Sequence, residues 1–307
     1  MAMFTTDHPE LLDTPLRKIF FQMPLPKAEY SRWINMMTTR RNFEDELRMA
    51  EFGELGPHVE GDTIVFDDVQ ELETKRFTPI TFTGGYIVTE KLREDDQHGK
   101  IVTLTKSLRK SVRYLYEVES YKILNNMTST ALERYVGFDD LALASTAHVD
   151  GDGGTQSNRP TTAVVISNTA VEAAQNAFYG WKDQRGVMPI QSTPRIAIGH
   201  YSYQHTMARI FQNAMRYDTA DWDENWVRKG PADNGVSEFI PSRYITNTKY
   251  WALLSGKDGH DLKLYNRVDP QFKTNVDFQT GNYQVKVRCR FQTGFSDWRG
   301  GYYSPAT

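Results

Sequence analysis

The sharpest pattern in the chain is a strict alternation near its end. Tyr283, Val285, Val287, Cys289 and Phe291 are apolar, and Gln284, Lys286, Arg288, Arg290 and Gln292 between them are polar. A period of two predicts a strand with one buried face and puts Cys289 on the buried phase. Val276, Asp277 and Phe278, followed by the turn residues Gln279, Thr280, Gly281 and Asn282, complete an antiparallel hairpin. A second pattern fills residues 104–127. There Leu104, Leu108, Val112, Leu115, Val118, Tyr121 and Leu124 recur every three or four positions, with no Gly or Pro between them, which predicts a long amphipathic helix.

The remaining patterns are shorter. Residues 63–69 and 76–82 are strand-like, rich in Thr, Val, Ile and Phe, and predict a long β-hairpin across 62–96. That segment is dense in charge: Asp67, Asp68, Glu71, Glu73, Lys75 and Arg76, then Glu90, Lys91, Arg93, Glu94, Asp95 and Asp96. A two-stranded ribbon with so few core-forming residues is marginal in water and is expected to lean on something outside itself. Ahead of it, the proline-broken run Met23, Pro24, Leu25, Pro26 and the charged stretch Arg40, Arg41, Glu44, Asp45, Glu46, Arg48 read as an arm with one short helix. After the Gly-rich loop 150–158, Thr169 and Glu172 form a capping-box pair at the start of a helix ending near Gly186. Ile196, Ala197 and Ile198 then predict a buried strand, and Met207, Ile210, Phe211, Ala214 and Met215 a helical face. Residues 250–254 predict another strand. Alternation of strand and helix here indicates an α+β middle region.

Composition narrows the functional classes. At 307 residues the chain exceeds one small core, so two packed units or one core with long extensions are expected. Hydrophobic residues at 39% and charged residues at 24% lie far from the disordered range. Lys plus Arg total 36 against 39 Asp plus Glu, so there is no global basic field for nucleic acid. A single cysteine rules out an internal disulfide and a cysteine zinc knuckle. No apolar run approaches the ~20 residues that span a bilayer, and residues 1–13 lack the pattern of an export signal, so a soluble protein with no membrane contact is expected.

Catalytic signatures are sparse. The sequence has no GxxxxGK[ST] loop, no strand-linked GxGxxG and no GxSxG elbow. His200 and His205, five apart with no Glu between them, do not share a helix face as a zinc-binding pair would. Asp150, Gly151, Asp152, Gly153 and Gly154 resemble the start of a calcium loop, but Thr161 stands where the closing Glu belongs. Asp218, Asp221, Asp223 and Glu224 could gather a hard cation; flanked by Trp222 and Trp226, they read better as a polar loop with aromatic anchors. No cofactor, metal or catalytic residue is assigned. Lys106, Arg109, Lys110 and Arg113 line one face of the long helix at i, i+3, i+4, i+7 spacing, either as a solvated face or as an inner surface for packaged nucleic acid.

Three words carry a family resemblance: Leu143, Ala144, Ser145, Thr146, Ala147, His148 leading to Asn158; Ile240, Pro241, Ser242 ahead of 250–254; and Thr293, Gly294, Phe295, Ser296, Asp297, Trp298, Arg299, Gly300, Gly301. Together with the order of charged arm, extended hairpin, long helix, α+β middle and terminal hairpin, the chain resembles the major capsid proteins of tailed bacteriophages, over residues 55–307. The resemblance implies the α+β Hong Kong 97-type capsid fold: an N-terminal arm at 1–60, an extended β-hairpin loop at 61–98, a peripheral domain with spine helix at 99–140 and 270–307, and an axial domain at 141–269. It implies a structural, non-enzymatic subunit that forms hexamers and pentamers of an icosahedral head around double-stranded DNA, assembled in the host cytoplasm. Implied partners are a scaffolding protein, because the arm is too short to be one, a portal, a decoration or cement protein, and DNA by non-specific contact. Asp67, Asp68, Glu71, Glu73, Lys75, Arg76, Lys91 and Arg299 become candidates for contact between subunits. Some relatives join neighbours by a Lys to Asn isopeptide bond; nothing pairs Lys75 or Lys91 with Asn275 or Asn282, and no crosslink is expected. An encapsulin-like compartment shell, a tail or head-fibre protein, and a metal-dependent hydrolase using His200, His205 and the acidic cluster remain as alternatives.

Overall fold

The computed structural model describes residues 9–49, 52, 56–58, 60–61, 63–64, 66, 71–96, 99–149, 154–183, 185–187, 193–216, 223–229 and 235–305. In chain order its elements are α1 (Pro9–Gln22), β1 (Asn35–Thr38), β2 (Glu44–Met49), β3 (Glu71–Phe77), β4 (Ile80–Val88), α2 (Glu90–Glu94), α3 (Lys100–Asn125), β5 (His148–Val149) and β6 (Thr155–Gln156). They continue as α4 (Asn168–Gly180), β7 (Pro194–His200), α5 (Gln204–Gln212), α6 (Trp226–Lys229), β8 (Glu238–Ser242), β9 (Trp251–Ser255), β10 (Leu262–Val276), β11 (Tyr283–Phe295) and β12 (Gly301–Ser304).

The long helix forms as its period demands. α3 has 26 residues and at 1.5 Å per residue is about 39 Å long. Asp96 starts it, accepting the backbone N–H groups of Lys100 at 2.9 Å and Ile101 at 3.1 Å, which meets two donors that the first turn leaves without helical partners. Its buried face is rotated from the expected stripe. Val112, Tyr121 and Leu124 are buried as anticipated, but Leu104 is exposed, and Thr105, Glu117 and Glu119 take inward positions.

α3 lies on a four-stranded sheet ordered β1-β10-β11-β4, in which β1 runs parallel to β10 and the other pairs are antiparallel. The alternation over 283–291 is realised in full on β11, whose apolar residues, Cys289 included, are buried under α3. β10 breaks register between Asn266 and Gln271, where Asp269 and Pro270 fall; a proline cannot donate to the ladder and belongs at such a bulge. Gly85 lets β4 approach β11, because a Cβ there would stand 2.2 Å from the Val285 carbonyl oxygen.

A second sheet, ordered β12-β9-β7-β8, is covered on both faces. Ile196, Ile198, Ala252 and Leu254 join the core under α3, while Ala197, Trp251 and Leu253, pointing oppositely, pack with Val171, Phe178, Met207, Ile210 and Trp298. The middle region is therefore α+β as expected. α4 is capped by Ser167, whose hydroxyl accepts the Ala170 N–H, and not by the Thr169 and Glu172 pair. Among the described residues no helix is long and apolar enough to cross a membrane.

The expected hairpin over 62–96 is corrected. Residues 76–82 are not one strand: the chain breaks at Thr78 and Pro79, β3 pairs antiparallel with β2, and β4 pairs with β11. The ribbon is β2 with β3, joined by residues 50–70, and the strand expected over 63–69 lies largely outside the described residues; Thr63, Ile64 and Phe66 there are in no strand. The arm is corrected too. Residues 14–38 are built into the core through Leu16, Phe20, Tyr30, Trp33 and Ile34, and β1 extends the first sheet. The expected division at residue 270 falls inside β10, and the closing strand β12 lies in the second sheet, not the first.

Gly85→Val should loosen β4 and lower unfolding free energy by about 1–3 kcal/mol, the usual range for overpacking. At Gly84 a new Cβ would meet only Leu108 at 3.9 Å, so Gly84→Ala should lie within ~0.5 kcal/mol of the parent. Denaturant titration of both variants checks the pair; equal losses would refute the close approach.

Candidate functional site

The feature that stands off from the two packed sheets is the ribbon of β2 and β3. Its register sets Glu44 opposite Phe77, Asp45 opposite Arg76 and Glu46 opposite Lys75. Successive side chains alternate between solvent and the molecule, so Asp45 and Arg76 face out while Glu46, Lys75 and Phe77 face in. Arg76 binds Asp45 through two bonds of 2.7 and 2.8 Å and covers the Phe43 ring at 4.0 Å. That hydrogen bonding holds the Asp45 carboxyl below the usual carboxylate range.

The inward row fixes the ribbon's root. Phe77 is fully buried against Tyr265, with ring centroids 5.0 Å apart. Gly294 admits it, because a Cβ there would lie 2.7 Å from the Phe77 ring. Glu46 accepts two bonds from Lys263, at 2.8 and 2.9 Å, and further bonds from the hydroxyls of Tyr265 and Ser296. Burial alone would raise the Glu46 carboxyl, but these donors outweigh it and hold it low. Lys263 also pairs with Asp261, and Ser296 contacts Asp261 as well as Glu46. A hydroxyl has one proton to give, so it cannot donate to both carboxylates. Burial raises the Asp261 carboxyl, as does the neighbouring Glu46 charge, which makes Asp261 the member of the pair that carries the proton more readily.

Beside this cluster Arg48 reaches Asp297 at 3.7 Å and Glu73 at 3.9 Å. Arg299 binds Asp297 and donates to the Lys182 carbonyl at 2.9 Å. Arg48, Asp297 and Arg299 line an open cleft of about 510 Å³ with Glu46, Asp261 and Lys263 and with Phe138, Asp258 and His260. His260 is pushed down to about 4 by burial and is neutral at neutral pH. Asp139 and His148 form a buried pair at 2.5 Å with His148 stacked on Trp298.

On α3, Glu117 is the counterpart anchor for the N-terminal segment. Its carboxyl accepts the backbone N–H groups of Glu29 at 2.9 Å and Tyr30 at 3.0 Å, and Arg113 lies 3.5 Å away. Arg113 also donates to the Pro26 carbonyl at 2.9 Å, and Arg109 lies 5.3 Å from the Phe20 ring.

The sequence matches the family model described as phage capsid protein over residues 72–304. This chain belongs to the phage capsid protein family. It is a structural protein of the virion, a major head subunit that associates with copies of itself. Its Hong Kong 97-type fold is shared with the capsid of a native GTA particle, at a TM-score of 0.56 and 10% identity over 91% of each chain. A structure from Mycobacterium phage Patience gives a TM-score of 0.53 at 10% identity, covering 98% of this chain and 88% of that one. The capsid of bacteriophage JBD30 gives 0.51 at 12% identity, covering 98% and 73%. No curated protein sequence matches the chain.

The candidate contact residues of this capsid protein separate by position. Glu71, Glu73 and Arg76 are exposed on the ribbon and Lys91 is exposed on α2; Asp67 and Asp68 lie outside the described residues. Lys75 is a correction: only 6% exposed, it donates to the Glu133 carbonyl at 2.9 Å between the Phe77 and Phe295 rings. Arg299 is another, since its bonds to Asp297 and Lys182 are internal. The basic stripe divides: Lys106 and Lys110 are exposed, whereas Arg109 and Arg113 are engaged by the N-terminal segment. His200 bonds Ser202 at 2.8 Å and His205 is exposed. Asp218 and Asp221 lie outside the described residues, and Glu224 pairs with Lys229 at 2.8 Å. Among the described residues no three His, Cys, Asp or Glu side chains converge as a metal site would require. Asp261, Lys263 and Glu117 were not singled out in the sequence, and Glu46 entered it only as one charge of the arm.

Lys263→Met would leave two buried carboxyls facing each other and should cost about 3–5 kcal/mol of unfolding free energy. Asp261→Asn keeps a partner for Ser296 and should cost within ~1 kcal/mol. Denaturant unfolding at neutral pH distinguishes them; similar losses would contradict the assigned roles. Burial pushes Lys75 down to about 8 from 10.5, against the pull of Glu133 and Glu46. Above pH 8 the unfolded lysine keeps its proton and the folded one releases it, so stability rises with pH until the unfolded group titrates. The unfolding free energy of the parent relative to Lys75→Met should therefore climb between pH 8 and about 10; a flat difference would refute it.

Proposed function

We propose that this capsid protein assembles into hexamers and pentamers that close an icosahedral head around double-stranded DNA, with the ribbon of β2 and β3 acting as the extended arm that lies across a neighbouring subunit. The sheet under α3 then serves as the peripheral domain, with α3 its spine, and the second sheet as the axial domain. A scaffolding protein and a portal are the partners this reading implies, with a decoration or cement protein as an optional addition; assembly takes place in the host cytoplasm, and no catalytic step is assigned to the chain.

The observation that carries this reading is where the ribbon leaves its apolar side chains. Met49, Phe52, Ile64 and Phe66, at its far end and in its connection, are 59%, 63%, 69% and 88% exposed. Large apolar groups gathered on a projection with no core of its own mark an interaction surface. A neighbouring subunit would remove them from water, each such side chain contributing about 1.5–3 kcal/mol when fully buried. The family match favours a phage head over an encapsulin-like compartment with the same fold.

Deleting residues 52–66 removes Phe52, Ile64 and Phe66 from the connection and spares the two strands with Lys75 and Phe77 at the root. The expected result is a folded subunit, judged by cooperative unfolding close to that of the parent, that forms no closed particles under electron microscopy. Normal particles from the deletion would overturn the assignment of the arm.

A further inference from the structure

Where the N-terminal segment crosses α3 and meets the irregular stretch of β10, the three leave a pocket of about 190 Å³ between them. Tyr30 lines it from the segment, Arg109, Arg113 and Tyr116 from α3, and Asn266 and Asp269 from β10. Arg109 and Arg113 are four residues apart on the helix, so two like charges stand side by side. Arg113 has its acceptors within the chain, the Pro26 carbonyl at 2.9 Å and the Glu117 carboxylate at 3.5 Å. Arg109 has neither. Among the described residues it forms no ion pair, its Nε is buried without a hydrogen-bond partner, and its guanidinium rests 5.3 Å from the Phe20 ring. Burial and the neighbouring Arg113 charge both hold the Arg109 guanidinium below the usual arginine range. Asp269, the carboxylate on the rim, is exposed and accepts the Asn266 amide at 2.5 Å, and it makes no ion pair with Arg109. The fold has thus drawn a cation out of water without giving it an anion.

The missing partner must be small. The pocket has the volume of about six waters and is smaller than the roughly 300–1,000 Å³ of sites that take cofactor-sized ligands. It must also be an acceptor on more than one side. A guanidinium presents its N–H groups as a planar fork that matches a carboxylate or a phosphate. The hydroxyls of Tyr30 and Tyr116 enter from other directions, and the Tyr116 hydroxyl has only a 3.5 Å contact with Asn266 to give up. Donors that converge from several directions suit a tetrahedral oxyanion better than a flat carboxylate. We propose that this pocket binds one inorganic phosphate ion, with Arg109 as its principal cation and the Tyr30 and Tyr116 hydroxyls as further donors. The ion touches the N-terminal segment, the spine helix and the sheet together, and so acts as a clip that holds the segment down. A duplex, with its sugars and bases, does not enter a space of this size.

The test is titration calorimetry of the folded full chain with sodium phosphate, at an ionic strength held constant with chloride. The parent should bind one ion saturably. Arg109→Gln should weaken binding roughly tenfold or more, the loss of a charge-assisted contact. Arg109→Lys, which keeps the charge and loses the fork, should weaken it as well. Lys110→Gln removes the same charge from the adjoining exposed position and should bind as the parent does. In hydrogen exchange, phosphate should slow the amides of residues 27–36 in the parent and leave them unchanged in Arg109→Gln. Absence of saturable binding by the parent overturns the proposal. Equal weakening by Lys110→Gln also overturns it, since a diffuse field would then account for the effect. Duplex DNA that binds through Arg109 and is not displaced by phosphate would identify the occupant as nucleic acid and likewise overturn it. Each of these measurements is made on the unassembled subunit, so a failure here leaves the ribbon's role in assembly to its own deletion.

Discussion

A carboxylate taken out of water must find its hydrogen-bond donors inside the protein, and at the root of the ribbon Glu46 finds Lys263, Tyr265 and Ser296. Those donors come from β10 and from the corner after β11, so the bond set ties the projection to the middle of the first sheet. The ribbon has too little apolar surface to hold itself in place. Its direction therefore depends on this polar anchor and on Phe77 beside it, and the exposed far end is presented at an angle fixed by buried charge. Arg48 with Asp297, and Lys75 with Glu133, add to the same root from the two strands of the ribbon.

The N-terminal segment obeys the same rule with the partners exchanged. Glu117 stands on the spine helix, and the backbone of Glu29 and Tyr30 comes to it. Phe20, Trp33 and Ile34 then complete the core under α3. A buried acid on a helix that reads as amphipathic is thus an anchor for the backbone ahead of β1, and the basic stripe beside it is half consumed in shielding that acid and stacking on Phe20 and Tyr30.

Elements whose inward faces are apolar were legible. β11 matched its alternation residue by residue, α3 its period within a few residues at each end, and β7 and β9 their short apolar runs. The pairing of the ribbon was hidden because its inward residues, Phe77 apart, are Glu44, Glu46, Arg48 and Lys75, so hydrophobic alternation carries almost no signal there. Charge density drew attention to 71–76, but it could not say that Lys75 points in and Arg76 out; that requires the register with β2. Arg299 looked like a surface cation for the same reason. The Thr293 to Gly301 word, read only as a family resemblance, contains Ser296 and Asp297 without pointing to the root, and Asp261 and Lys263 had no local pattern to distinguish them from ordinary surface charge.

The corner between β11 and β12 has a mechanical meaning. The chain leaves the first sheet at Phe295 and enters the second at Gly301, with buried Trp298 and left-handed Gly300 between them. So short a tether, with a buried indole between its ends, ties the end of β11 directly to the edge strand β12 of the other layer. In the closed head proposed above, that tie would pass differences in tilt on to the places where one molecule meets the next.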